Sequence, residues 1–228
     1  MSVSNRSRPK AIAFDIIGTV FQQAPLRSKV IALGLPGAAL EGWSAAADRD
    51  AAAIAATGDY RPFAEVQRAA LDSVLAEQSL EPPKADRQAL LDAASTDMAP
   101  RDGAGEALAR AAKAGVTVIA LTNGSADPTR RLLEKAGFAS SVTHVISPDE
   151  VRLAKPRAEV YLRACEVANA QPEELALIAA HAWDIQGAAA AGLTTAYLNT
   201  DRPYSSAMRP PDFEAETLTK CVEKLLTL

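Results

Sequence analysis

Two apolar patterns alternate along this chain. The first is the short continuous run: Lys10–Ile16, Val116–Thr122 ("VTVIALT"), Val142–Ser147, Leu175–Ala180 and Thr194–Leu198. Runs of this length predict strands, and the continuous apolar run Val116–Thr122 predicts one buried on both faces. The second is the three-to-four-residue repeat of helices, which covers 102–115, 126–136, 157–170, 184–191 and 212–227. Gly115, Gly137 and Gly192 stand where the helices before them end. Strands that alternate with helices predict an α/β fold, a parallel sheet with helices on both faces. One block breaks the alternation. Residues 25–97 read as helical almost throughout, rich in Ala, Leu, Glu and Gln, with breaks at Pro36-Gly37, Gly58 and Pro82-Pro83. A loop of roughly 80 residues does not belong in a compact domain. Residues 20–98 are therefore read as an inserted all-helical subdomain over the carboxyl edge of the sheet, with 1–19 and 99–228 forming the core.

Composition narrows the picture. The 228 residues suffice for one large domain or a domain with an insertion, and 48% hydrophobic against 23% charged residues supports a packed core. The net charge of −4 and the lack of a long basic run speak against a nucleic-acid partner. The one basic cluster, Arg6 to Lys10, reads as a solvated end. Residues 1–10 lack the apolar stretch of a leader peptide, and no run of about 18 apolar residues predicts a membrane span. Cys165 and Cys221 are too few for a disulfide framework and fit a reducing, cytoplasmic setting.

Functional residues of open parallel sheets gather at the carboxyl ends of the strands. Four such ends carry polar groups here. "FDIIGTVF", Phe14–Phe21, delivers Asp15 and then turns at Gly18-Thr19; the next acid along the chain is Glu41. "LTNGS" presents Thr122, Asn123, Gly124 and Ser125 ahead of a helix. "SPDEVRLAKP" presents Lys155, and "AAHAWD" presents His181 and Asp184. Singly, each has a structural reading: Thr122-Asn123-Gly124 as a turn, Asp184 as a helix cap, Lys155 as a solvated loop residue, His181 as packing, and Trp183 as packing set against its candidacy as a substrate contact. Together they describe a nucleophilic carboxylate. Asp15 attacks an electrophilic carbon or phosphorus to form an ester, Lys155 keeps it ionised, and Thr122 and Asn123 receive developing negative charge. Asp184 positions Lys155 or the water that opens the ester.

In order and spacing, "FDIIGT", the helical block, "LTNGS", "LAKP" and "AHAWD" resemble the haloacid dehalogenase superfamily of hydrolases over nearly the whole chain. The resemblance implies a Rossmann-like core with a helical cap. Phosphatases of that superfamily carry a second Asp two residues after the nucleophile, where Ile17 stands, and a further acid for magnesium ahead of the last Asp, where Ala179 and Ala180 stand. A halide leaves without a proton, so "D-x-x-G-T" with "A-W-D" is similar to the 2-haloacid dehalogenase branch. That branch implies an aspartyl ester, a small-molecule substrate and no metal or other cofactor. Its residues carry over as Asp15 for the nucleophile, Thr122 and Asn123 for the polar pair, Lys155, Tyr161 and Asp184.

The chain departs from the branch in three places. Ile17 replaces an aromatic that contacts substrate. Ala179-Ala180-His181 replaces Ser-Ser-Asn, which makes His181 the expected handler of the hydrolytic water. Ser44 follows Trp43 where the branch has an arginine for the substrate carboxylate, leaving Arg49 and Arg27 as substitutes. Dimers are common in the branch, which makes a homodimer an expectation. The alternatives are a magnesium-dependent phosphatase of small metabolites and a retired fold used as an interaction protein.

Overall fold

The computed structural model describes residues 7–200 and 203–228. Residues 1–6, including Arg6 of the basic cluster and most of the stretch searched for a leader, lie outside the described residues. The chain opens with β1 (Ala11–Asp15) and a two-residue strand, β2 (Phe21–Gln22). Four helices follow: α1 (Arg27–Ala32), α2 (Ala39–Ala56), α3 (Phe63–Glu77) and α4 (Lys84–Thr96). β3 (Ala99–Pro100) then pairs antiparallel with β2. The remainder alternates: α5 (Ala104–Lys113), β4 (Thr117–Leu121), α6 (Ala126–Lys135), β5 (His144–Ile146), α7 (Ala158–Ala168), β6 (Leu175–Ala179), α8 (Ala182–Ala190), β7 (Thr194–Leu198), β8 (Phe213–Ala215) and α9 (Leu218–Leu226). Among the described residues no helix is long and apolar enough to cross a membrane.

The main sheet is wholly parallel, in the order β5-β4-β1-β6-β7-β8. β1 is central, and the chain reverses its direction of travel across the sheet between β5 and β6. Such a reversal opens a crevice at the carboxyl ends of the strands, and Asp15 is the last residue of β1. Side chains of a strand alternate between faces. Ile12 and Phe14 therefore pack with α5, α6 and α9, while Ala11 and Ala13 pack with α7 and α8. Helices α1–α4 close a third apolar cluster of their own, built on Leu26, Trp43, Leu71 and Leu90. Trp43 is anchored there by its indole N–H, which donates to the Gln67 carbonyl at 2.8 Å.

Two local features differ from the sequence expectation. The helix read over 212–227 is in fact a strand followed by a shorter helix. Phe213, Glu214 and Ala215 pair with Ala196, Tyr197 and Leu198 at the sheet edge, and Thr217 starts α9 by accepting the Lys220 N–H at 3.2 Å. A three-residue strand is too short to show a period of two, so its apolar residues merge into the helical pattern behind it. The β2–β3 ribbon is shorter still and left no signal.

α8 approaches the loop carrying Lys155 unusually closely, and Gly187 permits it. A Cβ at Gly187 would lie 2.7 Å from the Pro156 carbonyl oxygen and 2.7 Å from the Tyr161 hydroxyl. Gly187→Ala is expected to destabilise the fold by about 1–3 kcal/mol, the range for overpacking a close-packed site. Urea unfolding measures this, and unchanged stability would mean that the two segments separate freely.

Candidate active site

β1, β4, the loop before α7 and the start of α8 bring the polar strand ends to one point. Asp15 and Asp184 are buried, and the Lys155 ammonium lies between them, donating to Asp15 Oδ1 at 2.8 Å and Asp184 Oδ2 at 2.6 Å. The same nitrogen reaches the Leu121 carbonyl at 3.4 Å. Each neighbour of this triad is itself held. Tyr161 donates its hydroxyl to Asp184 Oδ1 at 2.6 Å, and Asn123 Oδ1 accepts the Lys155 backbone N–H at 2.9 Å. The Thr19 hydroxyl donates to Asp15 Oδ2 at 2.6 Å and accepts the Ala180 N–H at 2.9 Å, joining the nucleophile turn to the end of β6. His181 caps α8, and its Nδ1 lies 3.0 Å from Asp15 Oδ2. Its ring stacks on Trp183 at a centroid distance of 5.4 Å.

This geometry sets the charges. Burial pushes the Asp15 carboxyl up, but Lys155 and then His181 outweigh it, leaving Asp15 well below the ordinary carboxylate range. Burial would lower Lys155, and the two carboxylates overcome it to raise the ammonium. Burial raises Asp184, and the charge of Asp15 adds to it against the pull of Lys155. Burial lowers His181, whereas its contact with Asp15 raises it more, so the imidazole is held above its usual range. The result is an ionised, desolvated carboxylate flanked by an ammonium and a proton-holding imidazole.

Asp15 opens onto a cavity of about 790 Å³ between the sheet edge and the helical layer. Ile17, Asn123, His181 and Trp183 contribute to the wall on the sheet side, and Ser44, Asp48 and Gln67 contribute from α2 and α3. Asn123 and Gln67 are each 8% exposed, and the side-chain amide nitrogens of both are uncommitted among the described residues. Thr122 and Tyr161, expected among the substrate contacts, are both fully buried and do not line the cavity. Thr122 accepts the Gly124 N–H at 2.9 Å and shapes the turn, while Tyr161 orients Asp184. Arg49 and Arg27 do reach the cavity, yet Arg49 pairs with Asp50 at 2.9 Å and Arg27 with Glu41 at 2.5 Å. Ser44 gives its hydroxyl to Gln23 Oε1 at 2.9 Å.

Three cavity residues escaped the sequence reading. Gln67 and Asp48 project from helices whose polar residues read as solvated faces. Arg101, directly after β3, donates through Nε to the Thr19 carbonyl and through Nη2 to the Gly18 carbonyl, both at 2.7 Å, and so clasps the nucleophile turn. Thr19 was visible in "D-x-x-G-T" as a turn residue only, although its oxygen belongs to the carboxylate network. Among the described residues no group of three or more His, Cys, Asp and Glu side chains converges as a metal site; Asp15 and Asp184 are bridged by the Lys155 ammonium instead.

Comparison with known proteins agrees with this geometry. The family model described as haloacid dehalogenase-like hydrolase matches residues 9–192. An (S)-2-haloacid dehalogenase from Pseudomonas sp. (strain CBS-3) is 30% identical over 172 residues, 75% of each chain. An N-acetylmuramic acid 6-phosphate phosphatase from Pseudomonas aeruginosa is 29% identical over 195 residues, 84% of this chain and 82% of its own. In fold, the chain is similar to the L-2-haloacid dehalogenase of Xanthobacter autotrophicus solved with chloropropionic acid covalently bound. The TM-score is 0.84 at 24% identity, over 94% of this chain and 97% of that one.

Replacing Lys155 by Ala leaves two buried carboxylates without the ammonium that bridges them. Lys155→Ala is expected to cost about 3–5 kcal/mol of stability at pH 7. The penalty shrinks as the pH falls and the acids take up protons. Urea titrations at pH 7 and pH 4 check both statements.

Proposed function

The chain belongs to the haloacid dehalogenase-like hydrolase family, and from that premise we propose that it hydrolyses small 2-haloacids to 2-hydroxy acids through an ester on Asp15. The observation that carries this reading is the ionised, buried Asp15 at the cavity floor with Ile17, rather than an acid, two residues on. A carbon–halogen bond breaks without protonation of the leaving group, whereas an alkoxide leaving phosphorus gains about 10²–10⁴-fold from a proton donor.

In the first step an Asp15 oxygen attacks C2 from the side opposite the halogen. The carbon–halogen electron pair leaves as halide, C2 inverts, and Asp15 becomes a neutral ester. Asn123 and Gln67 offer amide N–H groups to the halide or to the substrate carboxylate. The helices α1–α4 act as a cap that keeps bulk water from the carboxylate. In the second step water attacks Cγ of the ester. Lys155 stabilises the oxyanion that forms there, and Asp184 with Tyr161 keeps Lys155 in position.

His181 is timed by the charge of Asp15. While Asp15 is anionic it helps hold a proton on His181. Once the ester forms, that charge is gone, burial favours the neutral imidazole, and its proton leaves to solvent with the halide. His181 then accepts a proton from the attacking water and returns it to the departing 2-hydroxy acid oxygen. The chemistry asks for no cofactor. A preference for the S substrate follows the similar dehalogenase from Pseudomonas sp..

A single turnover of 2-chloropropionate in heavy-oxygen water is the direct test. The heavy oxygen is expected in Asp15 and ordinary oxygen in the product; heavy oxygen in the product alone would mean that water attacks C2 and that no ester forms. Chloride release is expected to be unaffected by EDTA, and magnesium-dependent phosphate release from monoesters would replace this reading by the phosphatase one.

The two steps also differ in their response to pH. Asp15 stays ionised in mild acid because its carboxyl is held well below the usual range, while His181 must be neutral to accept a proton. At saturating substrate, lowering the pH from 8 to 5 is expected to leave alkylation nearly unchanged and to slow ester hydrolysis. His181→Asn is expected to slow hydrolysis by about 10²–10⁴-fold, the usual worth of a positioned base. In both cases the ester accumulates as a mass increase on Asp15. Turnover of His181→Asn at the parent rate would remove His181 from the mechanism.

A further inference from the structure

The cavity roof carries an acid that the mechanism above leaves unused. Glu41, Ser44, Asp48 and Ala52 recur about once per turn of α2 and all line the cavity. Asp48 is half-buried and makes no hydrogen bond or ion pair among the described residues. Its own helix offers it no donor: its neighbours include Ala45, Ala47, Ala51 and Ala52, and Ser44, one turn earlier, is committed to Gln23. The cavity cations are engaged elsewhere, Arg27 by Glu41, Arg49 by Asp50, and Arg101 by the Gly18 and Thr19 carbonyls. Asp15 and His181 line the same cavity as Asp48, and the charges of His181, Asp15, Lys155 and Asp184 all act on it. Burial is the largest influence on it and raises its carboxyl to about 6. His181 and Lys155 oppose that rise, while Asp15 and Asp184 add to it.

A substrate seated on Asp15 lies in the cavity that this group lines. A 2-haloacid brings a second carboxylate there, and two carboxylates close together in a desolvated site cannot both stay ionised. They share a proton, as coupled acids do. We propose that Asp48 is a specificity-determining residue that reads the charge of the substrate: protonated, it donates a hydrogen bond to the substrate carboxylate, and ionised, it repels it and leaves the site to uncharged relatives such as the amide. The assignment rests on the dehalogenase reading for the reaction, but charge discrimination is measurable by binding alone.

The sign follows from the protonation that binding requires. Anion affinity is highest below pH 6 and falls by up to about tenfold per pH unit above it, until even the liganded form loses its proton. An uncharged ligand shows no such fall. Calorimetric titration of lactate and lactamide between pH 5 and pH 8 gives the ratio of their affinities. In the parent protein the ratio is expected to fall by up to about tenfold per unit above pH 6. Asp48→Asn and Asp48→Ala are expected to flatten it and, at pH 8, to bind lactate at least about tenfold more tightly than the parent does. His181→Asn is expected to keep the fall in the ratio but to move its onset to higher pH, because His181 no longer opposes the rise of the Asp48 carboxyl, and that shift assigns the titration to Asp48. A ratio independent of pH in the parent, a parent-like profile in both Asp48 variants, or no lactate binding at any pH overturns the proposal. Chloride release from 2-chloropropionate by the same samples reports on the dehalogenase reading separately. A normal lactate profile without chloride release sinks that reading and leaves Asp48 its role.

Discussion

Everything in this site depends on one ammonium group between two buried carboxylates. Lys155 is 140 residues from Asp15 and 29 from Asp184 in sequence, yet its nitrogen is within 2.8 Å of the one and 2.6 Å of the other. Each charge alone would be strongly disfavoured in the interior, and the arrangement holds only if the geometry is tight and the remaining hydrogen-bonding capacity is filled. The surrounding structure meets that demand. Tyr161, Thr19 and Asn123 each place one polar atom on a member of the triad or its backbone. Gly187 lets α8 come close enough for Tyr161 and the Lys155-Pro156 segment to share the space. The reactivity of Asp15 is thus a by-product of a packing solution: the carboxylate drawn out of bulk water is also the one kept ionised.

Much of the fold was legible because buried parallel strands have a distinctive appearance. β1, β4, β6 and β7 are uninterrupted apolar runs, and helical repeats separate them. β8 was not legible, since three residues at a sheet edge carry too little pattern to compete with the helix that follows. The site divides in the same way. Asp15, Lys155, His181 and Asp184 stand at strand ends, where a lone polar residue after an apolar run attracts notice. Asp48 stands in an alanine-rich helix beside Arg49 and Asp50, a sequence that reads as an ordinary solvated face. Only the placement of α2 over the sheet turns Asp48 toward the cavity. Thr122 and Tyr161 show the opposite limit: their positions in the sequence were noticed, but burial behind the wall assigns them to shaping the turn and orienting Asp184.

The cavity combines two kinds of surface with different constraints. The sheet side is a network in which almost every polar atom has a fixed partner, so substitution there disturbs several contacts together. The helical side offers Gln67 and Asp48 with free polar atoms on a scaffold of alanines. In the proposed reading, chemistry belongs to the first surface and discrimination to the second.

The short β2–β3 ribbon has a consequence for redesign. It brings Gln22 opposite Ala99, so the chain leaves for the helical layer and returns from it at adjacent points. A segment with paired ends can be exchanged as a cassette, much as a loop can be grafted onto a fixed stem. The location of Arg101 marks where the cut belongs. It follows β3 immediately and clasps the Gly18 and Thr19 carbonyls, so it travels with the nucleophile turn rather than with the helices. A chimera joined at Gln22 and Ala99 keeps that clasp, retains the charged triad whole, and replaces the ceiling of the cavity alone.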